Sequence, residues 1–233
     1  EEEFKKSWHF VRDNFSAILK NSSEVQHLRD LILDLAVKGK LVEQNNEELA
    51  ETLLKEIQEE KIKLEGFKKR KKKIKFIPVA EHEKKFPIPS NWKWCRWNDV
   101  SFKIGDVDHK MPQEVSEGIP YVSPRDFTKN GSINLNNAKK IPIEEFNRLK
   151  NKIQPCKNDI IFPRYGTIGV NVLVNFTENF IASYSCVVIK NLNGFINPKY
   201  SYYYSLSNLV KEEIAKYTNK TTQANVGVKS IQN

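Results

Sequence analysis

The sequence predicts an α+β protein, with an N-terminal antiparallel helical arm followed by a mixed-sheet α/β unit. Three observations carry this. Before residue 66, Leu and Ile recur at three- and four-residue steps through charge-rich stretches, the period of helices with one apolar stripe. Beyond residue 90, short apolar runs alternate with Gly, Pro, Asn and Asp, the texture of strands and turns. Charge divides at the same place. Residues 1–90 carry 19 Lys/Arg against 17 Asp/Glu, while residues 91–233 carry 19 against 12, so the second part holds +7 of the net +9.

The elements follow in chain order. Phe4, Trp8, Phe10, Phe15, Ile18 and Leu19 make residues 1–21 a short amphipathic helix. Ser23-Glu24-Val25-Gln26 reads as a capping box, with Gln26 reaching back to the cap amide. Val25, Leu28, Ile32 and Leu35 then form one stripe, and Gly39 falls where a left-handed C-terminal cap belongs, flanked by Lys38 and Lys40. After Asn45-Asn46, a second helix carries Leu49, Leu53, Ile57 and Leu64 on one side, and Glu51–Lys55 and Glu59–Lys63 form favourable four-residue pairs. Two narrow seams joined by a short connection make a coiled-coil-like hairpin of residues 1–75, and such seams call for a further partner helix. Leu28, Ile32, Leu35, Leu49, Leu53 and Ile57 are the expected subunit-interface residues.

Residues 67–75 read FKKRKKKIK. They are either a solvated linker or frayed helix end, or a sequence-independent phosphate contact through side chains such as Lys69 and Arg70. Pro78, Pro87 and Pro89 mark an extended connector over residues 76–90. The second unit, residues 91–233, opens with the alternating aromatics Trp92, Trp94 and Trp97, read as core at its entrance. Ile119–Val122, Asp159–Phe162, Val170–Val174 and Ser185–Ile189 are strands bounded by turn residues. Asn130-Gly131 is a tight-turn signal between Phe127 and Ile133. Asn197 caps, and Pro198 opens, a helix whose stripe of Tyr203, Leu206, Val210, Ile214 and Tyr217 continues to residue 217.

Composition narrows the chemistry. At 39% hydrophobic and 29% charged the chain can build a core, and it contains neither a membrane-length apolar run nor a signal-peptide pattern. Three cysteines, Cys95, Cys156 and Cys186, lack metal spacing, which fits a cytoplasmic protein rather than a disulfide scaffold. The only Met is Met111, so Glu1 reads as the start of a trimmed or processed chain. His9, His27, His82 and His109 show no paired metal spacing, and there is no nucleophile elbow, phosphate loop or dinucleotide fingerprint. A nuclease-type Asp…Glu-x-Lys set is missing beyond Asp159. Asn197-Pro198-Lys199-Tyr200 resembles the motif with which amino-methyltransferases hold a flipped adenine, but Lys199 replaces its second Pro and helix capping accounts for Asn197-Pro198. No catalytic centre, metal or cofactor is expected. The basic balance, with pI near 9.3, points to a polyanionic partner.

A family resemblance adds to this reading. The run from Leu28 to Val42, LRDLILDLAVKGKLV, resembles the conserved helix of the DNA-specificity (S) subunits of type I restriction–modification enzymes. Pro89-Ser90-Asn91-Trp92-Lys93-Trp94 resembles that family's entry into a target recognition domain. Gly118-Ile119-Pro120-Tyr121-Val122-Ser123 with Asp126, then Asp159-Ile160-Ile161-Phe162 with Arg164 and Thr167-Ile168-Gly169, resemble two of its strands. Thr221-Thr222-Gln223 and Asn225 resemble its closing turn. The blocks run from about Asn14 to the end, in the family's order. Asn158 stands where Gly is usual, tolerable because Asn also visits left-handed geometry, and Ala224 stands in place of a common Pro. Family members carry two recognition domains and this chain one, as either an N-terminal half or a natural half-subunit.

The resemblance implies a non-catalytic subunit that reads one half of a split double-stranded DNA target. It would position methyltransferase (modification) subunits and a restriction/translocase subunit. Arg125, after Tyr121–Ser123, and Arg164 with Tyr165 are then the candidates for base edges, and Lys110 and Lys129 for phosphates. Arg125 could instead pair with Asp126, and Arg164 could be architectural. Gln223 and Asn225 would pin the closing turn. The helical seams would meet the modification subunits or form a homodimer. Two other readings stay open: the specificity part of a fused restriction–methylation enzyme, and a stand-alone nucleic-acid-binding module using the cationic run.

Overall fold

A computed structural model describes residues 2–45, 47–66, 76–192, 194–219 and 224–233. The cationic run 67–75, with Lys69 and Arg70, lies outside these residues, as do Thr221, Thr222 and Gln223. No helix among the described residues is long and apolar enough to cross a membrane.

The N-terminal part is helical: α1 (Glu2–Asp13), α2 (Phe15–Ile18), α3 (Ser22–Val37) and α4 (Ala50–Gly66). The first helix breaks at Asn14, whose side-chain amide donates to the Phe10 carbonyl at 2.9 Å. The start of α3 differs from the expected Ser23/Gln26 box. Asn21 is the cap, accepting from the Ser23 and Glu24 amides at 3.0 and 3.1 Å, while Glu24 Oε2 accepts from the Asn21 amide at 3.2 Å. An Asn with a Glu three residues on supplies both halves of the reciprocal box. The helix ends at Gly39 as expected, at φ +68°.

Beyond the connector come α5 (Trp97–Val100), β1 (Ser101–Gly105), β2 (Ile119–Val122), β3 (Lys139–Ile141) and α6 (Ile143–Lys150). Then follow β4 (Ile160–Pro163), β5 (Val172–Leu173), β6 (Ile181–Ala182), β7 (Cys186–Asn191), α7 (Pro198–Leu206), α8 (Asn208–Tyr217) and α9 (Val228–Gln232). One sheet is antiparallel in the order β1-β7-β4-β5. The other, β3-β2-β6, is mixed, with β2 antiparallel to β3 and parallel to β6.

The apolar runs at β4 and β7 have a physical cause. Strands alternate their side chains between faces, and both faces of these strands are covered. Ile161, Cys186 and Val188 join Tyr121, Val122, Phe146, Leu149 and Ile181 in a core on one side. Ile160, Phe162, Val187 and Ile189 join Ile104, Val210, Ile214 and Ile231 on the other. A strand buried on both faces reads as an unbroken apolar run. Asn130-Gly131 makes its turn, with Gly131 at φ +72° and Phe127 bridged to Ile133.

The C-terminal helix expected to run to residue 217 is two helices. Ser207 closes α7 and caps α8, its hydroxyl donating to the Tyr204 carbonyl at 2.7 Å and accepting from the Val210 amide at 3.3 Å. Asn197 caps α7, its Oδ1 accepting from the Lys199 amide at 2.9 Å, which is the capping role read from the sequence. Among the tryptophans, Trp97 lies in the single turn of α5 and packs edge-on to Phe162 and Tyr204 at 6.4 and 5.8 Å. Trp94 packs edge-on to Phe86 at 4.9 Å.

The helices dock on the rest of the chain. Contacts of α3 go to α7 and α8, and those of α4 to α5. Trp92 Nε1 donates to Gln44 Oε1 at 2.8 Å, the Ala50 amide donates to the Asn91 carbonyl at 2.9 Å, and Lys61 Nζ donates to the Asn98 carbonyl. Of the expected seam, Ile57 is buried, and Leu28, Leu35 and Leu53 are half-buried. Ile32 and Leu49 are exposed, together with Leu31 and Ile62.

Candidate nucleic-acid interface

The strand directions gather four loops at one end of the molecule. β1 and β4 both run against β7, Gly105 opposite Val188 and Pro163 opposite Cys186, so both end near the start of β7. β6 leads into β7 through residues 183–185, and β2 runs beside β6 in the same direction. The segments after β1, β2, β4 and β6 therefore emerge together. The C-terminal segment joins them, because Gly166 donates to the Ala224 carbonyl and Val226 to the Arg164 carbonyl, both at 3.0 Å.

Arg164 sits at the centre of this arrangement. Nε donates to the Val226 carbonyl at 3.0 Å, and one terminal nitrogen donates to Asp106 Oδ2 at 2.6 Å. The guanidinium lies 4.9 Å from the centre of the Tyr165 ring. The side chain is 9% exposed. Of the two readings of Arg164, base edge or architecture, these bonds favour architecture: Nε and one terminal nitrogen are directed at groups of the protein. A charge-assisted pair with a second bond through Nε fixes the β1 and β4 exits and the C-terminal segment against one another.

His109 is held on the outer side of the same cluster. Its Nε2 lies 3.2 Å from Asp106 Oδ2 and 3.2 Å from the Arg164 guanidinium, and its ring lies 5.6 Å from that of Tyr184, tilted by 32°. Tyr184 meets Tyr165 edge-on at 6.4 Å. The Tyr184 amide donates to the Tyr121 hydroxyl, whose pKa burial pushes up to about 12. Asp106, His109 and Tyr184 were not singled out as site residues. Asp106 and His109 are merely three residues apart in a loop, and their partner Arg164 is 58 residues from Asp106.

The other predicted residues lie in the segments that follow β1, β2 and β4. Arg125 follows β2 in the 3-10 turn Pro124–Asp126. Asp126 accepts from the Ser123 amide and hydroxyl at 2.7 and 2.9 Å, which leaves Arg125 58% exposed with Nε at 3.7 Å from that carboxylate. Its pairing with Asp126 is therefore present but loose. Lys110 and Lys129 are exposed, and Tyr165 is half-buried. Beside them, Asp108 pairs with Lys152 and Arg148, whose hydrogen bonds hold its carboxyl below the usual range. Among the described residues, no group of three His, Cys, Asp or Glu is placed to hold a metal ion.

Converging loops, exposed cations and a braced aromatic cluster give this end of the domain the character of a polyanion-facing surface. Residues 89–233 match the type I restriction modification DNA specificity domain, and the chain belongs to that family. It is 31% identical over 197 residues to the type I restriction enzyme EcoAI specificity subunit of Escherichia coli, covering 84% of this chain and 33% of that one. It is 37% identical over 100 residues to the EcoEI specificity subunit of the same organism, covering 42% of this chain and 17% of that one. The chain thus spans a third or less of the curated relatives it matches. A solved S subunit of a type I restriction–modification system from M. genitalium overlaps 64% of this chain and 35% of its own, at 18% identity and a TM-score of 0.39.

Proposed function

We propose that this chain reads one half of a bipartite double-stranded DNA target for a type I restriction–modification complex, as a non-catalytic specificity component. The observation that carries the reading is the convergence of four strand-end loops beneath exposed Arg125, Lys110 and Lys129, in a domain matching a DNA-specificity family. Lys110 and Lys129 hold phosphates and set register, and Arg125 and Tyr165 face the bases. Residues 91–233 form the recognition domain, and the helices before residue 75 with the 76–90 connector form the arm that meets other subunits. The exposed Leu31, Ile32, Leu49 and Ile62 give that arm its protein-facing surface, which positions methyltransferase and restriction subunits. A selection from random duplexes tests this. It is expected to enrich one short half-site, and a profile with no enriched motif overturns the reading. Light scattering that shows a strict monomer at high concentration excludes self-association through residues 20–66.

A further inference from the structure

We infer that His109 is a specificity-determining residue, whose ring donates from Nδ1 to the N7 acceptor of a purine in the major groove. The assignment rests on the proposed DNA-reading function. It starts from an unusual combination: the side chain is 58% exposed, yet its orientation is fixed from two sides. Nε2 is set against Asp106 and Arg164, and the Tyr184 ring centre lies 5.6 Å from that of the imidazole. An exposed side chain normally loses rotamer freedom when it binds. Here the protein has already ordered it.

Nε2 lies 3.2 Å from an acceptor, Asp106 Oδ2, and 3.2 Å from a donor, the Arg164 guanidinium. A guanidinium can only donate, and the Arg164 terminal nitrogen carries two hydrogens, one given to Asp106 at 2.6 Å and one available to Nε2 at 3.2 Å. The tautomer that accepts from Arg164 carries its proton on Nδ1, and so does the imidazolium. Among the described residues no hydrogen bond is made through Nδ1. With Nε2 accepting from Arg164, Nδ1 is a donor presented at the loop cluster, flanked by exposed Lys110, which supplies a phosphate contact next to it. Both purines offer N7 as an acceptor in the major groove. Arg164 acts through His109 as a positioning residue and does not itself touch a base.

The experiment compares wild type, His109→Ala and His109→Phe in duplex selection, followed by binding to the enriched half-site with each purine in turn replaced by its 7-deaza analogue. His109→Phe keeps a ring on Tyr184 and removes both nitrogens, so it serves if the Ala variant folds poorly. For wild type, one 7-deaza position is expected to weaken binding about tenfold, the order of a single base-edge hydrogen bond. Both variants are expected to lose that sensitivity and the base preference at that position, with a larger loss of affinity for the enriched half-site than for random duplex. Equal weakening on every duplex would make His109 a phosphate contact, and retained 7-deaza sensitivity in both variants would make it structural; either overturns the assignment. If wild type enriches no half-site, the DNA-reading function itself fails. If wild type enriches one and the variants enrich the same one, only the role of His109 fails.

Discussion

The Arg164 guanidinium lies 2.6 Å from Asp106 Oδ2 and joins loops 58 residues apart in the chain. Its Nε bond to the Val226 carbonyl adds the C-terminal segment to the same joint. Arg164→Ala would leave a carboxylate and a carbonyl without their donor in a partly buried place, a loss of about 2–4 kcal/mol. Chemical denaturation should read this, and Arg164→Lys should recover less than half, because an ammonium on a flexible stem does not reproduce a planar fork. The double variant with Asp106→Asn should fall short of additivity, as directly coupled residues do. In binding, loss of Arg164 should lower affinity for all duplexes, since the joint carries several loops at once, and also relax the base preference read through His109.

The strands were legible in the sequence where burial on both faces leaves a mark. Ile119–Val122 is a strand as read, and Asp159–Phe162 and Ser185–Ile189 each fall within a residue or two of β4 and β7. Helix α6 was missed, although Glu144 and Glu145 in its first turn and Arg148 and Lys150 in its last complement its dipole. Its eight residues carry too short an apolar stripe, Phe146 and Leu149, to stand out. The site was half legible. Arg125, Lys110 and Lys129 sit in exposed loops as their local sequence implies. The role of Arg164 was not legible, because its partners Asp106 and Val226 come from other parts of the chain and only the sheet order brings them together. Asn158 was legible: it does adopt the left-handed geometry allowed for it, at φ +76°.

Gly39 is required twice, by conformation and by space. It sits at φ +68°, and a Cβ there would lie 2.6 Å from Pro89 Cγ. Gly169, at φ +90°, has nothing within 4 Å of the same position. Gly→Ala at a left-handed position costs about 1 kcal/mol or more from backbone strain alone. Gly39→Ala should therefore lower the denaturation midpoint clearly more than Gly169→Ala, and the difference between them measures the contact of the α3 end with the connector. Equal effects would mean that the Pro89 contact is easily relieved.

The thiols should separate by reactivity. The thiolate is the form that attacks a disulfide reagent. Burial raises the Cys95 thiol to about 11 and Cys186 to about 12, whereas Cys156 is exposed. At pH 8 neither buried thiol ionises appreciably, so titration with an aromatic disulfide should release one equivalent rapidly from the native chain and three after denaturation. A second fast equivalent would report opening at the helix–domain junction around Cys95.

The charged loops and the cationic run should be distinguishable by salt. Each phosphate contact contributes about 0.9 to the slope of log affinity against log salt on duplex DNA. Lys110→Ala and Lys129→Ala should each reduce the slope by about that amount and weaken all sequences alike. Deleting residues 68–75 should act in the same uniform way if the run touches the backbone, and leave the half-site profile intact. Arg125→Ala should differ in kind. Its guanidinium is exposed and only loosely paired, 3.7 Å from Asp126, so it is free to turn to a base edge, where a bidentate contact is worth about 1–3 kcal/mol against the wrong base. Its loss should relax the profile at one position of the half-site, read by comparing affinities for the enriched duplex and its single-base variants. A uniform loss for Arg125→Ala would instead place it with Lys110 and Lys129 on the phosphates, and base reading would then fall to the braced aromatic cluster beside it.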